Sequence, residues 1–166
     1  MSERRPQREG EEHAVPAPQL ARLAFLVGRL RGEGWLGERD YHYTKQVVGA
    51  WAAGGHHLVV DMMAEYPLRN GSCDRHATLL VVSAGAEPDS LIGHAFTDGG
   101  GRIDYELRST SEGLEFDDCP PHGCTAERAR KRLRATPGGY EETLEIDRGD
   151  GAFAPFAQIR LEREAS

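Results

Sequence analysis

The 166-residue chain is 39% hydrophobic and 28% charged, the composition of a soluble globular domain large enough to bury its own core. A net charge of −7 lacks the basic footprint of a nucleic-acid binder, and no apolar run is long enough to span a membrane. Three cysteines and a polar opening without a secretory signature point to free thiols in a reducing cytoplasm.

Residues 1–16 are charged, proline-containing and without apolar period, and are expected to form a disordered tail before one domain over 17–166. Pro18 precedes Leu20, Leu23, Leu26 and Val27, whose spacing predicts a short helix ended by Gly28. Beyond Gly28 the period becomes two. Strands are predicted over 29–44, 56–66, 76–83, 90–98, 102–110, 113–118, 129–135, 140–147 and 152–163. Glycine-rich turns separate most of them. One short N-terminal helix followed by about eight to ten strands makes an all-β chain, an antiparallel up-and-down β-barrel. Glycines inside the first strand favour barrel over sandwich, because they permit sharp coiling where a sheet closes.

Gly28-Arg29-Leu30-Arg31-Gly32-Glu33-Gly34 resembles the G-x-W-x-G-x-G opening of nitrobindin-like, fatty-acid-binding-protein-like barrels, with Leu30 in the tryptophan position. The helix before it and the last strand, Pro155 to Arg163, are similar to that family in spacing. The middle of the chain resembles lipocalin-like (calycin) domains. The resemblance implies a barrel around an internal pocket. In nitrobindins it also implies haem iron held by a histidine of the last strand. Here Phe156 stands at that position and the strand has no histidine, so no cofactor is expected.

Candidate chemistry lies with the histidines. Within 90–98, His94 shares a face with Ile92, Phe96 and Asp98, opposite the smaller Leu91, Gly93, Ala95 and Thr97. If the bulky face turns inward, His94 is an acid–base group oriented by Asp98. His56 lies on the apolar face of its strand with Leu58, Val60, Met62, Ala64 and Tyr66, and either His56 or Tyr105 is the candidate carbonyl polariser. Tyr105, Phe96, Met62, Tyr43, Trp35 and Phe156 are candidate ligand-binding residues, since rings and a thioether supply apolar walls and the phenols can also hydrogen-bond.

Cys119-Pro120-Pro121-His122-Gly123-Cys124 lacks a second ligand pair, Cys73 being single, so it is read as a stiff loop at the barrel mouth and no metal is expected. Arg130, Arg132 and Arg134 share a face that Glu141, Glu142 and Glu145 of the next strand can pair with. No phosphate loop, nucleophile elbow or zinc-binding helix occurs. The leading expectation is a cofactor-independent cyclase or isomerase acting on a small apolar, polyketide-like metabolite. The alternative is a non-catalytic carrier of a fatty or aromatic ligand, and haem binding ranks third. The expected partner is that small molecule, with neither nucleic acid nor membrane, and a homodimer is left open.

Overall fold

The computed structural model describes residues 15–116 and 128–165. Ten strands are formed among them: β1 (Gly28–Leu36), β2 (Glu38–Ala52), β3 (His57–Pro67), β4 (Cys73–Ala84), β5 (Ser90–Thr97), β6 (Arg102–Ser109), β7 (Gly113–Phe116), β8 (Arg128–Thr136), β9 (Gly139–Asp147) and β10 (Ala154–Arg163). Each strand pairs antiparallel with its sequence neighbour, and β10 returns to β1. The sheet therefore closes into an up-and-down barrel without a free edge.

The predicted single strand over 29–44 is divided at Gly37, whose φ of +70° makes the β1–β2 turn, and β2 runs on to Ala52. The predicted helix forms as a 3₁₀ helix, Ala21–Leu26. The reason is visible in the spacing. Leu20, Leu23 and Leu26 recur every third residue, which stacks them on one face of a three-residue turn, and all three are 0–1% exposed. This apolar face seals one end of the barrel. The seal is close: a Cβ at Gly49 of β2 would stand 1.9 Å from the Leu26 carbonyl oxygen. Arg163, at the end of β10, donates a hydrogen bond to the Val27 carbonyl beside it.

Side chains alternate between lumen and solvent along every strand. Near the helix-sealed end the inner face is filled by Leu30, Val47, Leu58, Val82, Leu91, Leu107, Leu114 and Leu161, all buried. A second small cluster, Ala129, Leu144, Ile146 and Ala157, lies toward the other end, with Leu36 and Phe156 packed on it. The outer face of β8 and β9 is laced by ion pairs: Arg130–Glu145 at 2.6 Å, Arg134–Glu141 at 2.5 Å, and Arg132 with Glu115 at 3.4 Å. No helix among the described residues is long and apolar enough to cross a membrane. The N-terminal tail through residue 14 and the Cys119–Cys124 loop lie outside the described residues.

Candidate functional site

Exposure of the inner face grades along the barrel axis. Residues beside the 3₁₀ helix are sealed, whereas Leu36, Met62, Tyr66, Thr78, Ile103 and Tyr105 are half-buried although they face inward. Solvent therefore reaches the lumen from the end where β3 turns into β4. This end is the mouth.

Across the middle of the lumen runs a buried charge cluster that has no counterpart in the sequence-based expectations. Lys45 of β2 donates a 2.5 Å hydrogen bond to Glu142 of β9, and both side chains are nearly fully buried. Lys131 of β8 reaches the other Glu142 oxygen at 3.6 Å. Its ammonium also lies 5.6 Å from the Phe116 ring centroid. Burial by itself would raise the Glu142 carboxyl, but the two ammonium groups outweigh it and hold the acid at about 2. Burial lowers the Lys45 ammonium, a shift that Glu142 opposes.

Between this cluster and the mouth stand rings. Tyr43 and Tyr66 are stacked, with centroids 5.1 Å apart and planes at 17°. The His76 ring meets Tyr66 edge-on at 5.5 Å, and His76 Nε2 lies 3.0 Å from Asp74 Oδ2. Strands β6 and β7 contribute Tyr105 and Phe116, edge-to-face at 5.4 Å. Burial, reinforced by Glu142, pushes the Tyr43 and Tyr66 phenols upward, so both are held as neutral O–H donors at ordinary pH. Tyr140, deeper in the lumen, is raised for the same reasons.

Several candidate residues stand in other places than their strand patterns suggest. His94 faces outward, because β5 turns its small residues Gly93 and Ala95 into the lumen. There His94 Nδ1 contacts Asp104 at 2.6 Å, and Asp104 is also clasped by Arg102. Hydrogen bonds from Arg102 and then from His94 hold the Asp104 carboxyl far below the usual range. Asp98 is beyond the end of β5 and accepts the Ala77 backbone N–H at 2.8 Å, so it does not orient His94. His56 is exposed in the turn before β3, a turn made by Gly54 and Gly55 at φ +68° and +91°. Phe96 is 44% exposed on the outer wall. Trp35 pairs with the exposed His42 and Gln158, which places it on the outer face as well.

Tyr43, Met62 and Tyr105 do face the lumen and come together with Tyr66 and Phe116. Phe156 sits in a bulge between Pro155 and Ala157, packed beside Gly37 at the mouth end. The residues missed were Lys45, Lys131 and His76; Glu142, expected to pair with the arginine face beside Glu141 and Glu145, instead turns into the lumen, because strand alternation sends it to the opposite face from those two. A signal for Lys45 was present: it falls on the same alternate positions as Tyr43 and Val47.

The donor set can be tested for haem. The inner face of β10 offers Ala157, Ile159 and Leu161, none of which ligates iron. Phe156 offers none either. Strand β10 thus lacks the ligand that the nitrobindin resemblance implies. Among the described residues no group of three or more His, Cys, Asp or Glu side chains is placed to hold a metal ion.

No protein-family model matches the chain, and no curated protein matches it in sequence. Among solved structures it is similar to the crystal structure of Rv2717c from M. tuberculosis, at 16% identity and a TM-score of 0.64, over 91% of this chain and 100% of that one. At that identity the likeness is one of fold, a closed ten-stranded antiparallel barrel.

Proposed function

We propose that the barrel binds a small, largely apolar molecule in its lumen, entered from the β3–β4 end, and acts as a carrier in the cytoplasm. The graded exposure of the inner face supports this reading. A barrel packed solid would bury Met62, Tyr66 and Tyr105 as completely as it buries Leu58 and Val82. The nitrobindin-like resemblance supports the same pocketed barrel, while the donor set of β10 gives no support to haem. The cyclase or isomerase reading is left without the groups that suggested it, since His94, Asp98 and His56 lie outside the lumen. One observation still favours acid–base chemistry as a second reading: the His76–Asp74 pair, 3.0 Å apart at the mouth.

Two neighbouring residues on opposite faces of β4 make the test. Thr78 faces the lumen and Leu79 faces solvent at 39% exposure. Titration with 8-anilinonaphthalene-1-sulfonate should give a saturable fluorescence rise in the wild type. Thr78→Trp should weaken it at least about tenfold by filling the mouth, and Leu79→Thr should leave it unchanged. Binding that follows Leu79 instead of Thr78 would place the probe on the outer wall and end the lumen reading. For the second reading, a candidate substrate should be turned over by the wild type and by His94→Ala, but not by His76→Ala.

A further inference from the structure

We infer that the lumen selects an aromatic ring system carrying a hydrogen-bond-accepting oxygen over a saturated chain of equal size, an inference that rests on the lumen-binding reading above. Two kinds of observation support it. The first is the division of side chains along the axis. Branched aliphatic residues fill the sealed end, while two opposed walls of the open half carry rings, with the aliphatic cluster of Leu36, Leu144 and Ile146 beside them. On one side Tyr43, Tyr66 and His76 form a continuous ring system across β2, β3 and β4. Strands β2 and β7 are five steps apart in the ten-strand circuit, so Phe116, with Tyr105 against it, stands on the opposite wall from Tyr43. Aromatic pairs prefer offset-stacked or edge-to-face contacts, and each such contact favours a ring over an alkyl group by roughly 2- to 12-fold in affinity. A ligand touching both walls gains two.

The second observation concerns the polar atoms at the foot of these walls. Tyr43 and Tyr66 stack with centroids 5.1 Å apart on the wall between the charge cluster and the mouth, and burial together with the nearby Glu142 keeps both phenols as protonated O–H donors. A phenol O–H donor in a largely apolar pocket favours a ligand that brings an accepting oxygen to it. The Lys131 ammonium beside Phe116 favours the same polarity in that oxygen. The ligand so described is planar over most of its surface, with a carboxylate, phenolate or carbonyl oxygen leading into the barrel. An acyl chain would meet the oxygen-binding groups equally well but would leave the ring faces unmatched.

The experiment compares 2-naphthoate with undecanoate, acids of equal carbon count and the same head group, by calorimetry and by displacement of the anilinonaphthalene probe. The wild type should prefer 2-naphthoate by about tenfold or more. Tyr66→Leu and Tyr105→Leu, which keep apolar volume but remove a ring, should each reduce that preference severalfold. Tyr43→Phe keeps the ring, and should weaken both acids by a similar factor while preserving the preference. Equal or tighter binding of undecanoate by the wild type overturns the inference and leaves the lumen reading standing. A preference that survives both leucine variants also overturns it. If neither acid binds or displaces the probe, the lumen reading falls together with the inference.

Discussion

The buried pair Lys45–Glu142 gives the sharpest quantitative expectation. The Glu142 carboxyl is held at about 2 in the fold, against 4.5 for an unperturbed glutamate. A difference of about 2.5 pH units corresponds to about 3 kcal/mol of stability. The folded pKa is depressed, so this stability is present above pH 4.5 and is lost as the pH falls toward 2. Between pH 7 and pH 3 the group should forfeit about 2 kcal/mol, since at pH 3 the unfolded chain is mostly protonated at this site and the folded one mostly is not. Other carboxylates add to acid sensitivity; Asp147, for example, is lowered by the Gly149 N–H and, after the cost of burial, by the Gly151 N–H. The useful quantity is therefore a difference between proteins.

The comparator is the double variant Lys45→Met/Glu142→Leu, which removes both buried charges at similar volume. Replacing a buried ion pair in this way is often neutral or stabilising. Urea unfolding followed by circular dichroism at pH 7 and pH 3 gives the two slopes. The wild type should lose about 2 kcal/mol more than the double variant over that interval. The single variant Lys45→Met should cost about 3 kcal/mol at pH 7, at the low end for a broken buried pair because Lys131 remains 3.6 Å from Glu142. Identical acid dependence in wild type and double variant would show that Glu142 is not held as a depressed, ion-paired carboxylate, and the description of the lumen floor would fail with it.

Other expectations follow from the same geometry. Gly49→Val should destabilise the fold by at least about 2 kcal/mol in chemical denaturation, because its Cβ meets the Leu26 carbonyl at 1.9 Å and must displace the helical seal; a neutral effect would mean the seal is not seated there. His94→Ala should change stability by less than about 1 kcal/mol and leave probe affinity within twofold, since His94 pairs with an exposed carboxylate on the outer wall. In an alkaline titration followed by phenolate absorbance, Tyr43, Tyr66 and Tyr140 should ionise above the ordinary tyrosine range. Reversible ionisation of all five tyrosines together near pH 10 would contradict their burial.

The sequence by itself determined the antiparallel barrel and most of its strands and turns, because a period of two is a local property; it did not determine the turn at Gly37, which divides the strand read over 29–44 and lets β2 run on to Ala52. It also determined which residues share a face: the alternation through β3 put Leu58, Val60, Met62, Ala64 and Tyr66 together, and they do line the lumen. It did not determine which face of β5 is inner. Hydrophobic bulk argued for Ile92, His94 and Phe96, but the lumen at Gly93 is already filled from both sides. A Cβ there would stand 2.8 Å from Leu107 and 3.3 Å from Leu80. Only small residues fit between those leucines, so the bulky face must turn outward and takes His94 with it. That decision belongs to side chains on β4 and β6, which no pattern within β5 reports. The same holds for the site. Lys45, Lys131 and Glu142 come from β2, β8 and β9, and no single strand reports that they meet. Closing the sheet puts β9 across the lumen within reach of β2, and only then do the three become one buried cluster beneath an aromatic mouth.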